Sequence, residues 1–123
     1  MKIILLLFCS FLIFSCRIDD DVTARIIWPQ SIKQITVSGK TINFTVVCQI
    51  PTPCYDYYNY NETSDNKHYY IKFFAKHDKQ NVCPQVISSL DASYQKTVPQ
   101  PGEYTFHFIR TDSTSLDTMI VIR

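Results

Sequence analysis

Between Thr41 and Ile50 the chain alternates with a period of two: Ile42, Phe44, Val46, Cys48 and Ile50 share one face, Asn43, Thr45 and Gln49 the other, and only Val47 is an outward apolar exception. That repeat is a half-buried strand; a helix would scatter these side chains around its axis. A strand with one apolar face needs a second layer to cover it, so the stretch demands a layered β fold.

Similar patterns recur downstream. Tyr69, Ile71, Phe73 and Ala75 point inward, with His68, Lys72 and Lys76 outward. Tyr104, Phe106 and Phe108 oppose Thr105 and His107, and Leu116, Ile120 and Ile122 form the inward set of a last strand. Ile26 to Trp28 and Ile35 to Val37 are expected to be one strand split by Pro29, with Trp28 a core or rim side chain. Tyr55 to Tyr60 is expected to be a short strand, followed by a polar connection over Asn61 to Asn66. Pro84 marks Val82 to Ile87 as an edge or bulged strand, and Lys96 interrupts the apolar parity of a weaker strand over Ala92 to Val98. Turns are expected at Ser38-Gly39-Lys40, His77 to Asn81, Pro99 to Gly102 and Thr111 to Ser115. High aromatic content (14%) and only two glycines fit a strand-rich chain. The expected fold is all-β: an immunoglobulin-like antiparallel β-sandwich of seven to eight strands. Tyr104, just after the Pro101-Gly102 turn, resembles the tyrosine corner of such sandwiches, whose hydroxyl ties the strand to the preceding loop.

Ahead of the sandwich stand Lys2 and an apolar run from Ile3 to Phe14. The run is too short to cross a bilayer, which takes about 20 residues, and fits a secretory signal. Ile13-Phe14-Ser15-Cys16 resembles the lipobox of bacterial lipoprotein signal peptides, a resemblance covering residues 2 to 16. It implies cleavage before Cys16 and acylation of that cysteine, which would anchor the chain stably in a membrane. Asp19-Asp20-Asp21 is either a solvated tether or, as in Bacteroidota lipoproteins, a surface-export signal. The expected organisation is therefore a signal peptide over 1–15, a lipidated, acidic tether over 16–24 and a sandwich over 25–123. The expected location is the cell envelope, at the outer membrane or cell surface. A eukaryotic secreted protein, glycosylated at Asn43 and Asn61, is the alternative.

The formal net charge of +1 falls to zero once Lys2 is removed, and no basic surface is concentrated, so no nucleic-acid partner is expected. Of five cysteines, Cys9 leaves with the signal peptide and Cys16 carries lipid. Cys48, Cys54 and Cys83 remain, enough for one bond and one thiol in an oxidising compartment. Parity puts Cys48 on the apolar face as a buried free thiol.

The series Pro53-Cys54-Tyr55, Cys83-Pro84-Gln85 and Pro101-Gly102-Glu103-Tyr104 resembles a group of uncharacterised Bacteroidota lipoproteins with one sandwich domain, over most of residues 26 to 122. The resemblance carries no assigned activity. Together with strand parity, it implies a Cys54–Cys83 disulfide.

No CxxC, HxxxH or HExxH spacing occurs, and His68, His77 and His107 fall on separate strands or turns, so no metal site or cofactor is expected. His68 and His107 both face outward and can meet only across neighbouring strands. No serine sits in a nucleophile elbow, and Cys48 is expected to be buried rather than an exposed thiolate, so no enzyme is expected. The tyrosine-rich stretch offers the best recognition surface, with Tyr58 and Tyr60 as contact residues while Tyr55 and Tyr57 fill the core. The expected function is a membrane-anchored, non-enzymatic binding or structural module whose partner is an envelope protein or a glycan. The alternatives are a small protease inhibitor and a carbohydrate-binding accessory protein.

Overall fold

The computed structural model describes residues 24–77 and 82–123. Among the described residues eight strands form two facing sheets: β1 (Ala24–Ile26), β2 (Trp28–Ser38), β3 (Thr41–Ile50), β4 (Tyr55–Asp65), β5 (His68–His77), β6 (Ser88–Thr97), β7 (Gly102–Ile109) and β8 (Ser115–Ile122). One sheet orders β2-β3-β6. In the other, β5 has β4 along one edge and both β1 and β7 along the opposite edge, with β8 outside β7. This is the expected all-β sandwich. The expectation that it is antiparallel throughout is corrected at one ladder among the described residues: β5 and β7 run parallel, from His68 opposite Thr105 to Ile71 opposite Phe108.

The alternating faces seen in the sequence are those that meet. Ile42, Phe44, Val46, Cys48 and Ile50 from β3 pack against Ile71, Phe73 and Ala75 from β5 and Phe106 and Phe108 from β7, all buried in one core. Phe44 lies 4.8 Å from Phe106 and 5.3 Å from Phe108, centroid to centroid, in tilted and edge-on geometry. Such contacts add to the burial of the rings themselves. Tyr104 is buried, and its hydroxyl donates to the Gln100 carbonyl at 2.6 Å, so the expected tyrosine corner is present.

Several local expectations are corrected. The first strand does not break at Pro29. It breaks at Ile27, where the chain passes from one sheet to the other while the Ile27 amide donates to the Phe73 carbonyl at 3.0 Å. Pro29 sits inside β2, opposite Cys48 and beside a register shift. It is tolerated because β2 is an edge strand, where a missing amide proton need not interrupt a ladder. Asn61 to Asp65 are not a connection: they pair with β5 in register, leaving Asn66 and Lys67 as a two-residue turn, both at positive φ. Such a turn matches the twist of its flanking strands. Val82 to Ile87 form no strand, and Val82, Val86 and Ile87 are exposed. Their apolar side chains mimic a strand in the sequence but have no partner edge. β6 begins at Ser88, earlier than expected, and β5 includes His77; residues 78–81 lie outside the described residues.

The bond between Cys54 and Cys83 is present, with the Cα atoms 6.0 Å apart, and Cys48 is a buried free thiol. Thr52 is buried beside this bond. Its hydroxyl lies 3.1 Å from Cys83 Sγ, and because a disulfide sulfur has no proton, the hydroxyl is the donor.

Candidate functional site

The sandwich has two sides where edge strands face each other, and β4 and β6 flank one of them. A bulge in β4 sets what lines it. Tyr57 is opposite Ala75 and Asn59 opposite Phe74, so Tyr58 is an extra residue that reverses the parity of the remainder of the strand. Tyr60, opposite Phe73, and Glu62, opposite Ile71, therefore turn toward the interior. Without the bulge Tyr60 would face outward with Tyr58, as strict alternation predicts.

Tyr60 packs edge-on against Tyr94 of β6 at 5.0 Å. The Tyr94 hydroxyl donates to Glu62 Oε2 at 2.8 Å, and the Lys96 ammonium donates to Glu62 Oε1 at 2.6 Å. Lys96 also lies 4.9 Å from the Tyr69 ring centroid. Lys96 thus keeps the inward parity of its strand, because Glu62 in the facing sheet neutralises it. The hydrogen bond to Glu62 holds the Lys96 ammonium above its ordinary range. Burial, then the bond to Glu62 and its charge, push the Tyr94 hydroxyl strongly upward. Tyr57 completes the seam by donating to the Ser93 carbonyl at 3.0 Å, and burial pushes its hydroxyl up to about 12.

Around Tyr60 a cleft of about 380 Å³ is lined by Asn43, Thr45, Ser93, Tyr94 and Gln95. Both Glu62 oxygens are engaged beside it, one by Tyr94 and one by Lys96. What it offers is an aromatic ring 40% exposed, surrounded by amide and hydroxyl groups, an arrangement suited to recognition. The other expected contact residue, Tyr58, is exposed and carries the Lys76 ammonium 3.5 Å over its ring. The bulge thus places Tyr58 and Tyr60 on different faces of β4. Tyr55 and Tyr57 pack against the core as expected. A second cleft, of about 500 Å³, lies by the sheet crossing, lined by Ile26, Trp28, Ile50, Pro51 and Ile87. Trp28 is a rim residue there, with the Arg110 guanidinium 5.4 Å from its ring.

Of the three histidines, the parallel pairing of β5 and β7 brings two together. His68 Nδ1 lies 3.0 Å from His107 Nε2, and His107 Nδ1 lies 2.7 Å from Asp117 Oδ1. Ser115 also donates to Asp117, at 2.6 Å. Because this hydroxyl bonds the carboxylate and not an imidazole, the row lacks the nucleophile–base contact that acyl transfer needs. Among the described residues no group of three or more His, Cys, Asp or Glu converges as a metal site. Sequence reasoning missed the Glu62, Tyr94 and Lys96 cluster. The available signal was Lys96 itself, a charge on an apolar parity, with the acidic Glu62 on another strand to answer it.

Cys16 and the apolar run before it lie outside the described residues. A family model, the ORF11 β-sandwich domain, matches residues 44–116. No curated protein and no solved structure matches the chain.

Proposed function

We propose that this chain, which belongs to the ORF11 β-sandwich domain family, is a non-enzymatic lipoprotein of the cell envelope, anchored through acylated Cys16. One sandwich then serves as a binding or structural module at the outer membrane or cell surface. The observation that carries this is the Cys54–Cys83 bond, since such bonds persist outside the reducing cytoplasm. It agrees with the export implied by Lys2 to Cys16. Growing cells with radiolabelled palmitate is the test. Label is expected in the full chain and absent from Cys16→Ala, which leaves the membrane fraction. An unlabelled wild-type chain recovered from the cytosol overturns the proposal.

The cleft around Tyr60 favours one particular partner class, a glycan. An exposed ring among Asn43, Thr45, Ser93 and Gln95 offers a stacking face with neighbouring hydrogen-bonding groups. Glycan-array binding by the wild-type chain, lost in Tyr60→Ala and kept in Tyr58→Ala, supports this. Binding that Tyr60→Ala leaves unchanged excludes the cleft.

A further inference from the structure

We propose that the outer face of the β5–β7–β8 sheet binds a first-row divalent metal ion between His68 and His107, with Asp117 orienting the second ring. The side chains come from three adjacent strands. His107 is opposite Asp117 in one ladder and Tyr70 in the other, and His68 lies one row along. The two facing nitrogens, His68 Nδ1 and His107 Nε2, are 3.0 Å apart. Two imidazoles bound to one cation at about 2.0–2.1 Å have nitrogens about 2.9 Å apart at a right angle and about 3.3 Å apart in a tetrahedron. The spacing here falls between those limits. The two rings are nearly coplanar, 14° apart with centroids 5.3 Å apart, so their nitrogens point straight at each other. With His107 held by Asp117, the exposed His68 ring has to swing aside before both lone pairs meet at a common point.

The carboxylate on the far side of His107 is the feature that distinguishes this pair from two histidines that merely touch. With His107 neutral, its Nδ1 proton is held by Asp117 at 2.7 Å, which leaves the Nε2 lone pair facing His68. Ser115 donates to the same carboxylate oxygen at 2.6 Å and fixes its position. Tyr70 stacks on His107 at 4.8 Å with planes 13° apart, restraining the ring from its other side. A carboxylate bonded to the second nitrogen of a ligating imidazole fixes its tautomer and raises its basicity. When the cation enters, the proton on His68 Nδ1 that now bridges to His107 is exchanged through solvent to His68 Nε2. Water completes the coordination, so the site is a two-point chelate open to solvent. Imidazole ligands favour Cu²⁺ over Zn²⁺ in such a site.

The test is calorimetric titration of the untagged full chain, disulfide intact, with ZnCl₂ and separately with CuCl₂. One ion per chain is expected, with Cu²⁺ tighter. His68→Ala and His107→Ala are each expected to weaken binding at least tenfold, and Asp117→Asn about tenfold, whereas His77→Ala leaves it unchanged. His68→Gln, which keeps a polar group of similar size, is expected to match His68→Ala and so separates ligation from any effect on folding. Absence of one-to-one binding by the wild-type chain overturns the proposal, as does undiminished binding by His68→Gln or His107→Ala.

Discussion

The Tyr94 hydroxyl and the Glu62 carboxylate meet at 2.8 Å across the gap between the two sheets, each borne by an edge strand of its sheet. This bond and the Lys96 ion pair do at the β4–β6 opening what backbone ladders do within each sheet. A hydrogen bond to a charged group contributes about 1.5–3 kcal/mol. Tyr94→Phe is expected to lower stability by an amount in that range, read as a shift in urea midpoint with the slope unchanged. Combining it with Lys96→Met is expected to be non-additive, because both act through one carboxylate.

Stability is also expected to fall in alkali. The folded-state pKa values of Tyr57, Tyr94 and Lys96 are all raised. The unfolded chain therefore loses these protons first, and the stabilisation, complete below the unfolded values near 10, disappears as pH rises through the folded ones. Urea midpoints measured between pH 8 and pH 11.5 are expected to be flat at first and then to decline. The decline is expected to be shallower in Tyr94→Phe.

Removal of the Cys54–Cys83 bond frees a segment spanning 29 positions. In the chain-entropy model this costs about 3–4 kcal/mol, a large part of the roughly 5–15 kcal/mol that holds a domain of this kind together. Cys54→Ser with Cys83→Ser is expected to lower the denaturation midpoint accordingly. An unchanged midpoint would show that the bond constrains little.

Cys48 is fully buried, and burial, with a smaller contribution from the Asp91 charge, pushes its thiol up to about 12. The reactive species is the thiolate. Iodoacetamide at pH 8 is expected to leave Cys48 unmodified in the native, unreduced chain and to modify it once urea unfolds the chain, as read by peptide mapping. Rapid labelling of Cys48 in the native chain would place that thiol at the surface.

Most of the fold was legible because its core is built from uninterrupted alternation. Ile42 to Ile50, Tyr69 to Ala75 and Tyr104 to Phe108 have the faces their spacing predicts, and Tyr104 makes the corner its turn suggests. The candidate site was not legible because it depends on an exception to that rule. The extra residue at Tyr58 turns Tyr60 and Glu62 inward, and no local signal in a run of tyrosines distinguishes a bulge from regular alternation. The charge on Lys96 read as a defect in a strand, since its partner lies 34 positions away in the opposite sheet. The meeting of His68 and His107 likewise depends on a parallel pairing, which period-two patterns do not encode. Asn61 to Asp65 misled for a compositional reason: turn-forming residues also occupy exposed edge strands, where pairing with β5 outweighs their preference.

The three residues of β1 pair with the end of β5, whereas the eleven of β2 belong to the facing sheet. Tension applied to the polypeptide ahead of Ala24 is therefore borne first by that short ladder, and reaches β2 only after the Ile27 bond to Phe73 has given way. Because Ile27 is itself buried in the core, a load that strips β1 from β5 next draws on the packing between the sheets.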